Sequence, residues 1–163
     1  MARRVFFSFH YDWDIFRANQ VRNANVVVGP DLAGYFDHSE YDEAKRQGDD
    51  GIRRMILRHL DRTTVTVVLI GTYTAIRPWV RVEIAESIKR QNGLLGIFIN
   101  HLSDHRQMVS AFGPPPAIPP LVDFPTYPWD GNIKRFADAI EAAGKRSDAL
   151  RNPPPLTGFR RLR

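Results

Sequence analysis

Trp79 and Glu83 are the residues of this 163-residue chain best suited to chemistry. Four positions apart on a helix, they stack an indole face and a carboxylate on one side. Such a carboxylate can accept hydrogen bonds from sugar hydroxyls and steady an oxocarbenium-like carbon while a glycosidic bond breaks. The Trp79 ring and the Phe9 region offer flat faces for a base or a nicotinamide ring. A structural reading stands beside this one, with Glu83 as the surface ion-pair partner of Arg77 or Arg81 on its own helix.

Other devices are missing. No GxGxxG follows a strand, and there is no GxxxxGK[ST] loop, HExxH or GxSxG elbow. The chain has no cysteine, which excludes disulfides and thiol catalysis. His101 and His105 are spaced for metal ligation on a helix, but they fall where a strand runs into a loop, and two histidines are too few for a site. No metal is expected.

The elements that must hold Trp79 and Glu83 are a strand and the helix after it. Six of the seven residues from Thr64 to Ile70 are β-branched, as suits a strand covered on both faces. Gly71 and Thr72 break the run, and Pro78 pre-sets the first turn of a helix. Along that helix Val80, Ile84 and Ile88 make an apolar stripe, and it should end near Asn92–Gly93. Arg4–Phe9 reads as the first strand, followed by a helix over Trp13–Asn23 capped by Asp12. Asn25–Val28 offers a second short strand, stopped by Gly29–Pro30–Asp31. The acidic stretch 31–50, with Tyr35, Phe36 and Tyr41 interleaved, reads as a long connection with a helical turn near 40–47. Asp49 or Asp50 should cap a helix over Gly51–Leu60. Leu94–Ile99 is the next buried strand. The seven prolines within 102–128 argue for an extended surface loop with a short edge strand around Val122–Tyr127. Asn132–Ala143 makes the last helix.

Strands alternating with helices predict an α/β fold, an open and mostly parallel sheet with helices on both faces. Ligands in such sheets sit at the carboxyl ends of the strands. Here those ends are Ser8–Asp14 and Gly71–Trp79, which places Phe9, His10, Asp12, Arg77, Trp79 and Glu83 in one cleft.

An apolar content of 43% and a charged content of 25% are ordinary globular values. The length suits a single domain over residues 1–144 with a basic, proline-containing tail over 145–163. That tail sets Lys145, Arg146, Arg151, Arg160, Arg161 and Arg163 against Asp148 alone, which accounts for the whole net charge of +5. A neutral body with a basic tail is a poor nucleic-acid groove. No apolar run reaches the 18 or so residues of a membrane span, so the chain reads as a cytoplasmic protein.

The segments RVFFSFHYDWD, TVTVVLIGTYTAIRPWVRVEIAESIKR and LLGIFIN, in that order, resemble the TIR-like domains of bacterial Thoeris anti-phage defence, the ThsB proteins. The resemblance covers roughly residues 3–101. It implies a flavodoxin-like fold and cleavage of the nicotinamide–ribose bond of NAD, with NAD as substrate and no further cofactor. Glu83 occupies the position of the family's key glutamate, and the W-x-x-x-E spacing from Trp79 supports the match. The nicotinamide and ribose pocket maps onto Phe7, Ser8, Phe9 and His10, with Asp12 beside them. The resemblance further implies a cyclic ADP-ribose isomer as product, made once infection provides a trigger, and a separate effector protein activated by that product. Self-association in the active state is expected. Two other readings stay open: a non-enzymatic TIR-like interaction module, and a nucleoside deoxyribosyltransferase-like enzyme that uses a glutamate nucleophile. The acidic 31–50 connection and the proline-rich 102–128 stretch depart from the wider TIR pattern.

Overall fold

A computed structural model describes residues 3–24 and 38–156 of the chain. Its elements in order are β1 (Val5–Ser8), α1 (Tyr11–Ala24), α2 (His38–Arg46), α3 (Gly48–Leu60), β2 (Val65–Ile70), a 3-10 turn (Thr74–Ile76), α4 (Pro78–Lys89), β3 (Gly93–Phe98), β4 (Thr126–Pro128) and α5 (Ile133–Arg151). Among the described residues the sheet has four strands, all parallel, in the order β1-β2-β3-β4. The strand expected at Asn25–Val28 and its Gly29–Pro30–Asp31 stop lie outside the described residues.

Helices cover both faces. On β2, Val68 and Ile70 join Leu94 of β3 and Val80 and Ile84 of α4 in one apolar cluster. The alternate residues Val65, Val67 and Leu69 belong to the larger cluster with Ala18 and Val21 of α1 and Phe136 and Ile140 of α5. Every residue of β2 is buried, as its β-branched run requires.

The passage from β3 to β4 has no helix. Parallel neighbours need a long crossover, and here the proline-rich segment supplies it. Phe112 stacks on Phe98 at 5.2 Å between ring centres, and Ile118, Val122 and Phe124 pack against the α4-side cluster. Gly113 lies so close to the carboxyl end of β2 that a Cβ there would stand 2.3 Å from the Gly71 carbonyl oxygen. The strap therefore takes the place of a covering helix, with its Ile118, Val122 and Phe124 partly buried, while Met108, Val109 and Leu121 stay exposed.

Several boundaries differ from the sequence reading. Helix α1 begins at Tyr11, so Asp12 lies inside its first turn, and His10 provides the cap. The His10 carbonyl accepts from Asp14 N at 2.8 Å, and its Nδ1 accepts from Trp13 N at 3.3 Å. The helical turn near 40–47 is a nine-residue helix that abuts α3. Helix α3 starts at Gly48, so Asp49 and Asp50 sit in its first turn, where the helix dipole favours carboxylates, and neither is the cap residue. Helix α4 stops at Lys89 and turns through Gln91, whose φ is 61°, while Gly93 already belongs to β3. Helix α5 runs eight residues past Ala143, into the segment read as tail. Arg146 donates to the Leu94 carbonyl at 2.6 Å, and Arg151 donates to the carbonyls of Thr63 and Arg90. No helix among the described residues is long and apolar enough to cross a membrane.

Candidate functional site

Strand register decides where Ser8 points. Ser8 pairs with Val68, a residue of the α4-side cluster, so its hydroxyl faces that helix. Helix α4 starts at Pro78 and turns Glu83 inward, where Ser8 Oγ donates to Glu83 Oε2. The surface ion pair with Arg77 or Arg81 does not form. Glu83 is buried at 5% exposure, Arg81 donates to the Ala75 carbonyl, and Arg77 pairs with Asp12.

Burial alone penalises the charged form of a carboxylate. It pushes the Glu83 carboxyl up to about 8, against the opposing pull of the Ser8 hydrogen bond and the Arg77 charge. At neutral pH and without a ligand, Glu83 is therefore largely protonated. A cation brought beside it would reverse the balance, because an opposite charge within a few ångströms favours the ionised form.

Around this carboxyl is a cavity of about 10 Å³, room for a single water. Phe7, Phe9, Arg77, Trp79 and Glu83 line it, as do Tyr11 and Tyr41 and the α3 residues Ile52, Met55 and Ile56. A larger outer cavity of about 330 Å³ adjoins it, lined by Asp12, Lys45, Asp49 and Pro78 among others. Tyr41, Ile52, Arg77 and Trp79 line both and form the partition.

Of the sequence-predicted residues, the structure brings together Phe7, Ser8, Phe9, Arg77, Trp79 and Glu83. Asp12 lies one layer out, on the outer cavity. His10 lines neither cavity. It is spent on capping α1, and burial, reinforced by Arg77, lowers its pKa. His101 bonds the Trp129 carbonyl at 2.7 Å, and His105 packs on Phe16 at 4.5 Å, so the two rings serve different contacts.

The sequence reading missed the aromatic wall. Tyr11 stacks on Tyr41 at 4.4 Å and on Phe9 at 6.0 Å. The one signal for Tyr41 was an aromatic set among acidic residues, without a period to orient it. Also missed was a buried polar chain behind Glu83. Ser87 Oγ donates to the Glu83 carbonyl at 2.7 Å, Thr66 Oγ1 to Ser87 at 2.7 Å, and Asn92 Nδ2 to Thr66 at 3.1 Å and to Thr63 at 2.9 Å. Arg151 closes it on Asn92 Oδ1 at 2.9 Å. A third is the buried pair Asp14–Arg17 at 3.3 Å, whose guanidinium also holds the carbonyls of Leu102 and Met108 at 2.9 Å.

A parallel α/β sheet with a buried glutamate at its carboxyl edge, under an aromatic and arginine wall, defines the class of protein as flavodoxin-like and TIR-like. The sequence comparisons agree. Residues 6–104 match the family model described as "Thoeris protein ThsB, TIR-like domain", and the chain belongs to that family. A Bacillus cereus (strain MSX-D12) protein named "Putative cyclic ADP-D-ribose synthase ThsB1" is 46% identical over 118 residues, 71% of this chain. The chain spans 62% of that relative's length.

Proposed function

We propose that the protein is a signalling enzyme of anti-phage defence that breaks the nicotinamide–ribose bond of NAD and releases a cyclic ADP-ribose isomer. The observation that carries this reading is Glu83, a buried carboxyl held by Ser8 on the floor of a cavity walled by Phe9 and Trp79. Membership of the ThsB family and the name of the 46% identical relative support it.

The nicotinamide ring of NAD carries a positive charge. Seated against Phe9 and Trp79, it draws Glu83 toward the carboxylate form. Cleavage breaks the bond from ribose C1′ to the ring nitrogen, and the electron pair leaves with nicotinamide, which becomes neutral. The positive charge passes to the ribose carbon, where the Glu83 carboxylate stabilises it in a site closed to water. A nitrogen of the substrate's own adenine, or one of its ribose hydroxyls, then bonds to C1′ and closes the ring, a hydroxyl giving up its proton as it does so. Water in the same role yields ADP-ribose and a proton. NAD is a substrate in this scheme, and no metal or further cofactor takes part.

A cavity of about 10 Å³ is too small for a dinucleotide, which supports the reading of a latent resting state. A phage-derived trigger switches on turnover, self-association accompanies activity, and the diffusible product activates an effector protein in the cytoplasm. The closed cavity also favours a second reading, a non-enzymatic interaction module. The two are separated by incubating the protein with NAD in lysate of infected cells and analysing nucleotides by mass spectrometry. A cyclic ADP-ribose isomer from the wild type and none from Glu83→Gln is the expected result. No product under triggering conditions, with phage protection intact in Glu83→Gln, leaves the interaction module.

A further inference from the structure

Arg77 stands between the inner and outer cavities, and its contacts are incomplete. One nitrogen, Nη2, donates both to Asp12 Oδ2 at 2.9 Å and to the Tyr41 hydroxyl at 2.8 Å. A guanidinium is a planar fork with five N–H donors, matched to two oxygens of a carboxylate or phosphate. Asp12 and Tyr41 engage one prong. The Asp12 side chain is 47% exposed, so its charge is well screened and its grip is weak. Lys45 lies on the outer cavity, its Nζ 5.6 Å from the centre of the Tyr41 ring, and adds a second cation on the same side.

We infer that Arg77 is a diphosphate-binding residue and that Asp12 is an internal stand-in for the phosphate, holding Arg77 and Tyr41 across the mouth of the Glu83 cavity until a dinucleotide displaces it. This rests on the proposed use of NAD and names what admits it. Any dinucleotide whose ribosyl carbon reaches Glu83 must pass its diphosphate across the partition, and Arg77 is the cation that lines both sides. A phosphate can take both prongs of the fork, whereas Asp12 takes one. As Arg77 turns to the diphosphate, its bond to the Tyr41 hydroxyl is released and the aromatic wall loses its tether. Asp12 therefore opposes substrate, although its position at the cavity mouth would suggest a binding residue.

The test is equilibrium binding of ADP and of adenosine, by calorimetry at low salt, to the wild type, Asp12→Asn, Arg77→Gln and Arg77→Lys, each first checked for a wild-type circular dichroism spectrum and melt. Asp12→Asn should bind ADP about two- to fivefold tighter, the scale of a partly exposed ion pair. Arg77→Gln should lose about tenfold or more, as for a hydrogen bond to a charged group, and Arg77→Lys should recover part of that loss. Adenosine, which lacks phosphate, should be indifferent to all three. Equal ADP affinity in wild type and Arg77→Gln, weaker ADP binding in Asp12→Asn, an adenosine response equal to the ADP response, or no saturable ADP binding in wild type and Asp12→Asn overturns the assignment. Nucleotide binding needs no bond cleavage. Tighter ADP binding without any product keeps this inference and removes the enzyme reading, and product formation with ADP binding blind to Arg77 does the reverse.

Discussion

The two ends of β2 and α4 are both polar and both buried, yet they are built on opposite terms. At the amino end of the sheet, Thr63, Thr66, Ser87, Asn92 and Arg151 satisfy one another through donors and acceptors 2.7–3.1 Å apart. At the carboxyl end, Glu83 has one hydroxyl for a partner and is pushed up to about 8. A satisfied buried network rigidifies a fold, while a poorly compensated acid marks a place where a ligand completes the electrostatics. On the proposed reading, the first end is structural and the second is the reaction site.

The sharpest way to break the comparison is to remove the acid. Glu83→Gln should lower product formation by about 10²-fold or more. It should leave the fold intact, as read by circular dichroism and by yield of monodisperse protein. An equally large loss of folded protein would make Glu83 a structural residue like those at the other end.

At the amino end the effects should fall on stability. Gly93→Ala places a Cβ 1.8 Å from the Ala143 carbonyl oxygen, a backbone atom of another element that cannot swing aside. It should cost about 3 kcal/mol, at the upper end of overpacking changes, measured by urea unfolding. Asn92→Ala removes the donor to Thr63 and Thr66 and the acceptor for Arg151, and it should cost about 1–3 kcal/mol. Once folded at low temperature, the Asn92 variant should retain its turnover under triggering conditions.

A finer test uses pH. The folded Glu83 carboxyl, at about 8, lies above its ordinary value of 4.5, so the native state holds a proton that the unfolded chain gives up. That contribution to stability is fully present below about pH 4.5 and is lost as pH rises to about 8. The melting temperature of Glu83→Gln should therefore gain on the wild type through that window and keep a constant lead above it. A constant difference at every pH would place the native carboxyl at its ordinary value. The smallest expected effect belongs to Ser8→Ala. It removes a hydrogen bond that holds the Glu83 carboxyl down, so the acid limb of the pH–rate profile should move to higher pH with a modest loss of rate.

Much of the fold was legible where periodicity is strong. The β-branched run before Gly71 and the Pro78 entry to a helix have one local solution each, and β2 and α4 match it to within a residue or two of their starts. The acidic stretch 31–50 has no such period, so only a helical turn near 40–47 could be read where α2 runs from His38 to Arg46, and the place of Tyr41 could not be derived from it. Asp12 looked like the better helix cap, because a carboxylate side chain is a commoner cap than an imidazole. The backbone instead closes its first bonds on His10, which frees Asp12 for Arg77. Polar residues of α5 beyond Ala143 read as tail, because their partners are carbonyl groups of distant segments.

By itself, the sequence determined that a parallel α/β sheet would carry Trp79 and Glu83 on the helix after its central strand, because hydrophobic period, branching and proline placement are local. Whether Glu83 would meet solvent or Ser8 depended on the register of β1 against β2, a contact across 75 positions of chain. The tertiary structure alone decided that the carboxyl is buried, nearly without room and behind a partition in which Arg77 bonds Tyr41 and is held from outside by Asp12, since desolvation and closure belong to no single segment.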